Sequence, residues 1–161
     1  TDGLRQADED NPRGYYEFER VKKLPQGDFG WLDDALGKAV KAITYLLVML
    51  PPTHTYRVIL MERDLSEVLA SQREMLRRRG LPDTGPDDSV MTRLFEKELA
   101  RANAWIESAS NVVCLRVSYR AVVEHPREHA KRINAFLGGD LDVEAMMAVA
   151  DRNLYRQKGL S

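Results

Sequence analysis

Tyr56-Arg57-Val58-Ile59-Leu60-Met61-Glu62-Arg63-Asp64-Leu65-Ser66-Glu67-Val68-Leu69-Ala70-Ser71 is the stretch whose reading decides the fold. Val58 to Met61 is an unbroken apolar run, without the alternation of a half-exposed strand. It predicts a strand over 56–61 covered on both faces, as in a parallel sheet. The polar junction Glu62-Arg63-Asp64 follows, and a helix then starts. Asp64 is its N-cap and Glu67, three residues on, makes a capping-box variant. Leu65, Val68, Leu69 and Leu76 form the apolar stripe of a helix over 64–79, which Gly80 ends, with Pro82 shortly beyond. Arg63 therefore falls at a strand's end and Ser71 two turns into the next helix. A guanidinium fork and a hydroxyl so placed can share one phosphate. In an open α/β sheet, ligands bind here, outside the carboxyl ends of the strands. The plain alternative pairs Arg63 with Asp64 or Glu67 and packs Ser71 against the next helix.

Working outward, Ala39 to Thr44 suits a short buried strand and Tyr45 to Leu50 a short helix stopped by Pro51-Pro52. Asp87 or Asp88 caps the longest helix, to about Ser108. Its apolar residues Met91, Leu94, Phe95, Leu99, Ala102, Trp105 and Ile106 recur at helical spacing and read as a core face. Asn111 to Val117 is a further strand. Helices follow over 119–124, from Pro126 to Leu137, and over 142–150. Strands alternating with helices predict a parallel α/β sheet wrapped by helices, one domain over residues 1–161. Three strands make a thin sheet, and at least one more is expected to complete it.

The chain has 161 residues, 43% apolar and 30% charged, with a formal net charge of −1. Such a balance sets up no global field for nucleic acid or anionic lipid, so phosphate binding must be local. Cys114 is the single cysteine and lies in an apolar run. It excludes an internal disulfide and fits a reducing, cytoplasmic compartment. The longest apolar stretch, Ala42 to Pro52, is too short to span a bilayer. His125 and His129 are four apart, but Pro126 places His125 outside the helix, so no metal site is expected. His54 reads as a surface loop residue, and Arg77-Arg78-Arg79 as a solvated helix end.

Glu62 to Ser71 resembles the 3′-phosphate-binding segment of the PAPS-dependent sulfotransferases, in which a Ser follows a strand-end Arg by eight residues. Arg63 and Ser71 have that spacing; Leu65 stands where the family often has Pro. Leu115-Arg116-Val117-Ser118-Tyr119-Arg120 through His125-Pro126, with Phe136-Leu137-Gly138, is similar to the family's closing strand–helix–helix section. There Arg120 replaces a frequent acidic residue. Asn11-Pro12-Arg13-Gly14-Tyr15-Tyr16-Glu17, Gly37-Lys38-Ala39-Val40-Lys41 and Asp151 to Arg156 resemble further segments of bacterial members, in the family's order.

The resemblance implies a P-loop-NTPase-like fold, with 3′-phosphoadenosine 5′-phosphosulfate (PAPS) as sulfuryl donor and no metal. The partners it implies are an adenosine 3′,5′-bisphosphate-type nucleotide and an acceptor hydroxyl or amine of unknown identity. Arg63 and Ser71 would hold the 3′-phosphate. Lys158, followed by Gly159, resembles part of an Arg-Lys-Gly contact to the same group. Many members place a proton-accepting His two residues after a strand Lys. Lys41 matches that Lys, but Ile43 stands at the His position. Glu17 and Lys41 are then the candidate catalytic residues. The plain readings are a loop carboxylate for Glu17 and a solvent-reaching Lys for Lys41. The loop 81–86 and the segment around Tyr15-Tyr16 are candidates to line the acceptor site. The family's glycine-rich phosphosulfate loop has no counterpart in these residues, so the expected first strand and its loop would precede Thr1. Two rivals remain at this level: a non-catalytic sulfotransferase-like nucleotide-binding module, and a P-loop nucleotide kinase relative.

Overall fold

The computed structural model of the chain describes residues 18–81 and 85–151, together with Ala7, Gly14 and Tyr16. It divides into two compact units, Thr1–His54 with Glu96–Ala109 and Thr55–Phe95 with Ser110–Ser161.

The first unit is irregular. A 3-10 helix, Glu19–Gln26, buries Val21 and Leu24. Pro25 within it lacks the N–H that a continuing helix needs, and Gly27 closes it in the left-handed region at φ 77°. Trp31 and Leu32 are buried beside it. The Trp31 ring meets Phe18 edge-on at 5.3 Å, and its indole N–H donates to the Asp28 carbonyl at 3.0 Å. Arg20 grips the Asp28 carboxylate through Nε at 3.2 Å and Nη2 at 2.7 Å, which holds that carboxyl below its usual range. A short helix, α1 (Thr44–Leu47), buries Leu46.

The strand expected over 39–44 is not formed. Residues 39–43 are exposed coil, with Ile43 at 63% exposure. Strand propensity in Val40 and Ile43 is a preference for a half-buried pleated surface. No described strand pairs with this segment, so its backbone groups have no ladder to join.

The second unit is built on two parallel strands, β1 (Tyr56–Glu62) and β2 (Val112–Ser118), paired in register from Tyr56 with Val112 to Glu62 with Ser118. These are the only strands among the described residues, so the expected third strand is corrected to a two-stranded sheet. Parallel pairing demands a long crossover. Here it carries α2 (Leu65–Arg78) and α3 (Asp88–Ser108). Cover on both faces of β1 is also corrected. Val58 and Leu60 are buried, whereas Arg57 is exposed and Met61 is 46% exposed at the strand's carboxyl end. The Arg57 guanidinium donates to the Phe136 carbonyl. Val117, at 1% exposure, is the most enclosed large side chain of β2. Burying residues of this size contributes about 1.5–3 kcal/mol each.

Helix α2 starts and stops as its residues dictate. The Asp64 carboxylate accepts the Ser66 backbone N–H at 2.8 Å. At the other end, the Gly80 N–H meets the Arg77 carbonyl and the Leu81 N–H the Leu76 carbonyl, a Schellman closure with Gly80 at φ 64°. Glu74 takes both Arg77 and Arg78, at 2.8 and 2.9 Å, so this basic helix end is clamped as well as solvated. The apolar positions predicted for α3 are buried or half-buried, except Leu94 at 49% exposure.

Beyond β2, the Ser118 hydroxyl caps α4 (Tyr119–Glu124) and Pro126 opens α5 (Pro126–Leu137). Gly138 ends α5 at φ 125°, and Asn134 bridges to Gly139 and Leu141. Asp142 then caps α6 (Val143–Ala148). α4 and α5 pack on β2, and α6 on α5. The whole is a mixed α/β arrangement with a small parallel sheet flanked by helices. Among the described residues no helix is long and apolar enough to cross a membrane.

Candidate functional site

The in-register pairing of Glu62 with Ser118 brings both strands to an end at the same level. The next residue on each chain segment, Arg63 after β1 and Tyr119 after β2, therefore emerges side by side at the carboxyl edge of the sheet. The Arg63 guanidinium carbon lies 5.2 Å from the centre of the Tyr119 ring. That is within cation–π range.

From that position Arg63 turns along the first turn of α2, and its Nε meets Glu67 Oε2 at 3.2 Å. The two side chains differ in burial: Glu67 is 6% exposed and Arg63 26%. A carboxylate this enclosed needs a cationic partner, since the cost of removing it from water far exceeds that of a surface charge. Of the two pairings open in the sequence, the structure thus selects Glu67. Asp64 instead serves the helix N-terminus, and its hydrogen bonds to the Ser66 hydroxyl and backbone N–H hold its carboxyl below the usual range.

Ser71 is half-buried on α2, four residues past Glu67. Side chains at that spacing lie on one helix face about 5–6 Å apart. Ser71 therefore follows Glu67 along one face of α2, next to the junction where Glu67 meets Arg63. The N–H donors of the fork beyond Nε and a hydroxyl further along the helix are groups of the kind a tetrahedral oxyanion takes.

The other predicted site residues are less informative. Lys41 lies in the first unit on the exposed coil that replaces the expected strand, so its strand-end context is lost. Glu17 and Lys158 lie outside the described residues, as do Tyr15 and residues 82–84 of the proposed acceptor-lining segments. His54, read as a surface loop residue, is more enclosed than that, with its side chain 19% exposed. Its ring joins the Asp33 carboxylate at 3.0 Å and the Thr53 hydroxyl at 2.9 Å. His129 is buried, and its Nδ1 has no hydrogen-bond partner among the described residues. The described residues contain no group of three or more His, Cys, Asp or Glu placed to hold a metal ion. Tyr119 was missed as a site residue by the sequence reading. Its signals were its place in the segment that resembles the family's closing section and its position directly after a strand expected to be parallel to the one preceding Arg63.

The junction defines a protein of the α/β class with a basic fork at the carboxyl edge of a parallel sheet. The chain belongs to the sulfotransferase family, whose sequence model matches residues 9–143. That span takes in β1, β2 and the Arg63–Ser71 segment. No curated protein and no solved structure shows a significant match to the chain.

Proposed function

We propose that the chain serves a sulfotransferase that moves a sulfuryl group from PAPS to a hydroxyl or amine acceptor, and that its strand–helix junction grips the 3′-phosphate of the nucleotide. The observation that carries this reading is the Arg63 guanidinium held at the end of β1 between the Tyr119 ring and the buried Glu67 carboxylate. A guanidinium kept in one place loses little freedom on meeting a phosphate. The Ser71 hydroxyl, one turn beyond Glu67, supplies a second donor. PAPS, when bound, supplies the activated sulfuryl group.

Lys41 and Glu17 are the proposed helpers at the sulfuryl end, one offering positive charge and the other a proton acceptor. Lys158 is proposed to add charge at the 3′-phosphate. The proposed architecture is that of a P-loop-like nucleotide-binding domain spanning residues 1–161, at work in the cytoplasm.

Calorimetric titration of the chain with adenosine 3′,5′-bisphosphate and with adenosine 5′-monophosphate tests the reading. The bisphosphate is expected to bind at least about tenfold tighter, which is what one charge-assisted contact supplies. Ser71→Ala and Arg63→Lys are expected to narrow that preference, because each removes donors from the fork or its neighbour. Equal affinities for the two nucleotides in the unaltered chain would remove the 3′-phosphate site from consideration.

A further inference from the structure

We infer that Glu67 is a positioning residue: it sets the Arg63 guanidinium for the 3′-phosphate without touching the nucleotide itself. The inference rests on the proposed 3′-phosphate site and adds a residue to it.

Glu67 is one of two buried polar or charged side chains in the described core, with His129 the other. A carboxylate at 6% exposure is costly to take out of water, and the first turn of a helix is where its charge is best tolerated. Its contact with Arg63 gives it a distinct part. Glu67 Oε2 accepts from Nε, the donor nearest the side-chain stem. A bond at Nε fixes the last torsions of an otherwise mobile side chain and so sets the plane of the whole fork. The Tyr119 ring at 5.2 Å bounds the guanidinium from the side of β2. The two contacts come from different elements, α2 and the start of α4, and together they fix the guanidinium's direction and its face.

Two opposing effects follow from the Glu67 charge. It orients the fork, which favours the phosphate, and it partly neutralises the guanidinium, which disfavours it. The burial of Glu67 and its approach at Nε place the weight on orientation. Loss of the charge with the shape kept is therefore expected to weaken 3′-phosphate recognition.

The test compares the unaltered chain with Glu67→Gln and Glu67→Asp, each titrated with adenosine 3′,5′-bisphosphate and with adenosine 5′-monophosphate. The readout is the ratio of the two affinities, which a general loss of structure would not change selectively. Glu67→Gln is expected to lower the ratio about tenfold, the worth of one charge-assisted hydrogen bond. Glu67→Asp, which keeps the charge on a shorter arm, is expected to retain more of the ratio than Gln does. Circular dichroism confirms folding. If Glu67→Gln does not fold, Glu67→Met, which removes the charge and keeps the length, takes its place, with a lowered ratio supporting the inference and an unchanged one overturning it. A ratio unchanged or increased in Glu67→Gln overturns the positioning role while leaving the 3′-phosphate site intact. A ratio near one in the unaltered chain overturns the site itself, and the inference with it.

Discussion

Replacing Arg63 by Ala takes a cationic partner away from the Glu67 carboxylate, which is 6% exposed and meets Arg63 Nε at 3.2 Å. Breaking a buried ion pair from one side costs about 3–5 kcal/mol, because the remaining charge loses cationic compensation and still lacks water. Arg63 is 26% exposed, so water enters the vacated volume and the cost falls at the lower end, about 3 kcal/mol. With a urea slope of about 2 kcal/mol per molar, the unfolding midpoint drops by about 1.5 M. Adding Glu67→Gln to Arg63→Ala removes the poorly compensated charge and is expected to restore about 2 kcal/mol of that loss. The assay is urea unfolding followed by far-ultraviolet circular dichroism for the unaltered chain, both single variants and the double variant. A double variant no more stable than Arg63→Ala would refute the reasoning, since Glu67 would then not depend on Arg63 for its burial.

Three further outcomes follow from the same geometry. Glu74 is held down to about 2 by its hydrogen bond to Arg77 first and then by Arg78. Its folded value is depressed below the ordinary 4.5, so its stabilisation is present above about pH 4.5 and is lost as pH falls towards 2; Glu74→Gln should flatten the unfolding midpoint across that window. Gly80 adopts φ 64° with open space where a Cβ would stand, so Gly80→Ala meets only backbone strain and should cost about 1 kcal/mol in thermal unfolding. Burial raises the Cys114 thiol, so a chromogenic disulfide reagent at pH 8 should label it more slowly than free cysteine, and at the free rate once the chain is unfolded in urea.

Local structure at the junction was legible because its causes are local. The Asp64 cap, the Gly80 closure and Pro126 at the start of α5 are each decided within a few residues, by short side-chain reach or by a permitted φ. The same holds for the placement of Arg63 at a strand's end and Ser71 two turns on. Ala39 to Thr44 failed as a strand for the opposite reason. Its residues favour extended backbone, but a strand exists only beside another, and among the described residues none pairs with it. The burial of β1 was misread at Met61, where an apolar side chain at the strand's end stays in solvent.

The sequence by itself determined the strand–helix junction, the spacing of Arg63 and Ser71, and the family to which they point. Only the tertiary structure decided what holds Arg63. Its partner, Asp64 or Glu67, depended on which carboxylate packing would enclose, and Glu67 is the one taken out of water. Its platform, Tyr119, depended on the register between β1 and β2, a pairing of segments far apart in the chain. Hydrogen-bonding rules and side-chain periods act over a few residues. Register and burial are properties of the assembled sheet, and they turn a strand-end arginine into a fixed fork.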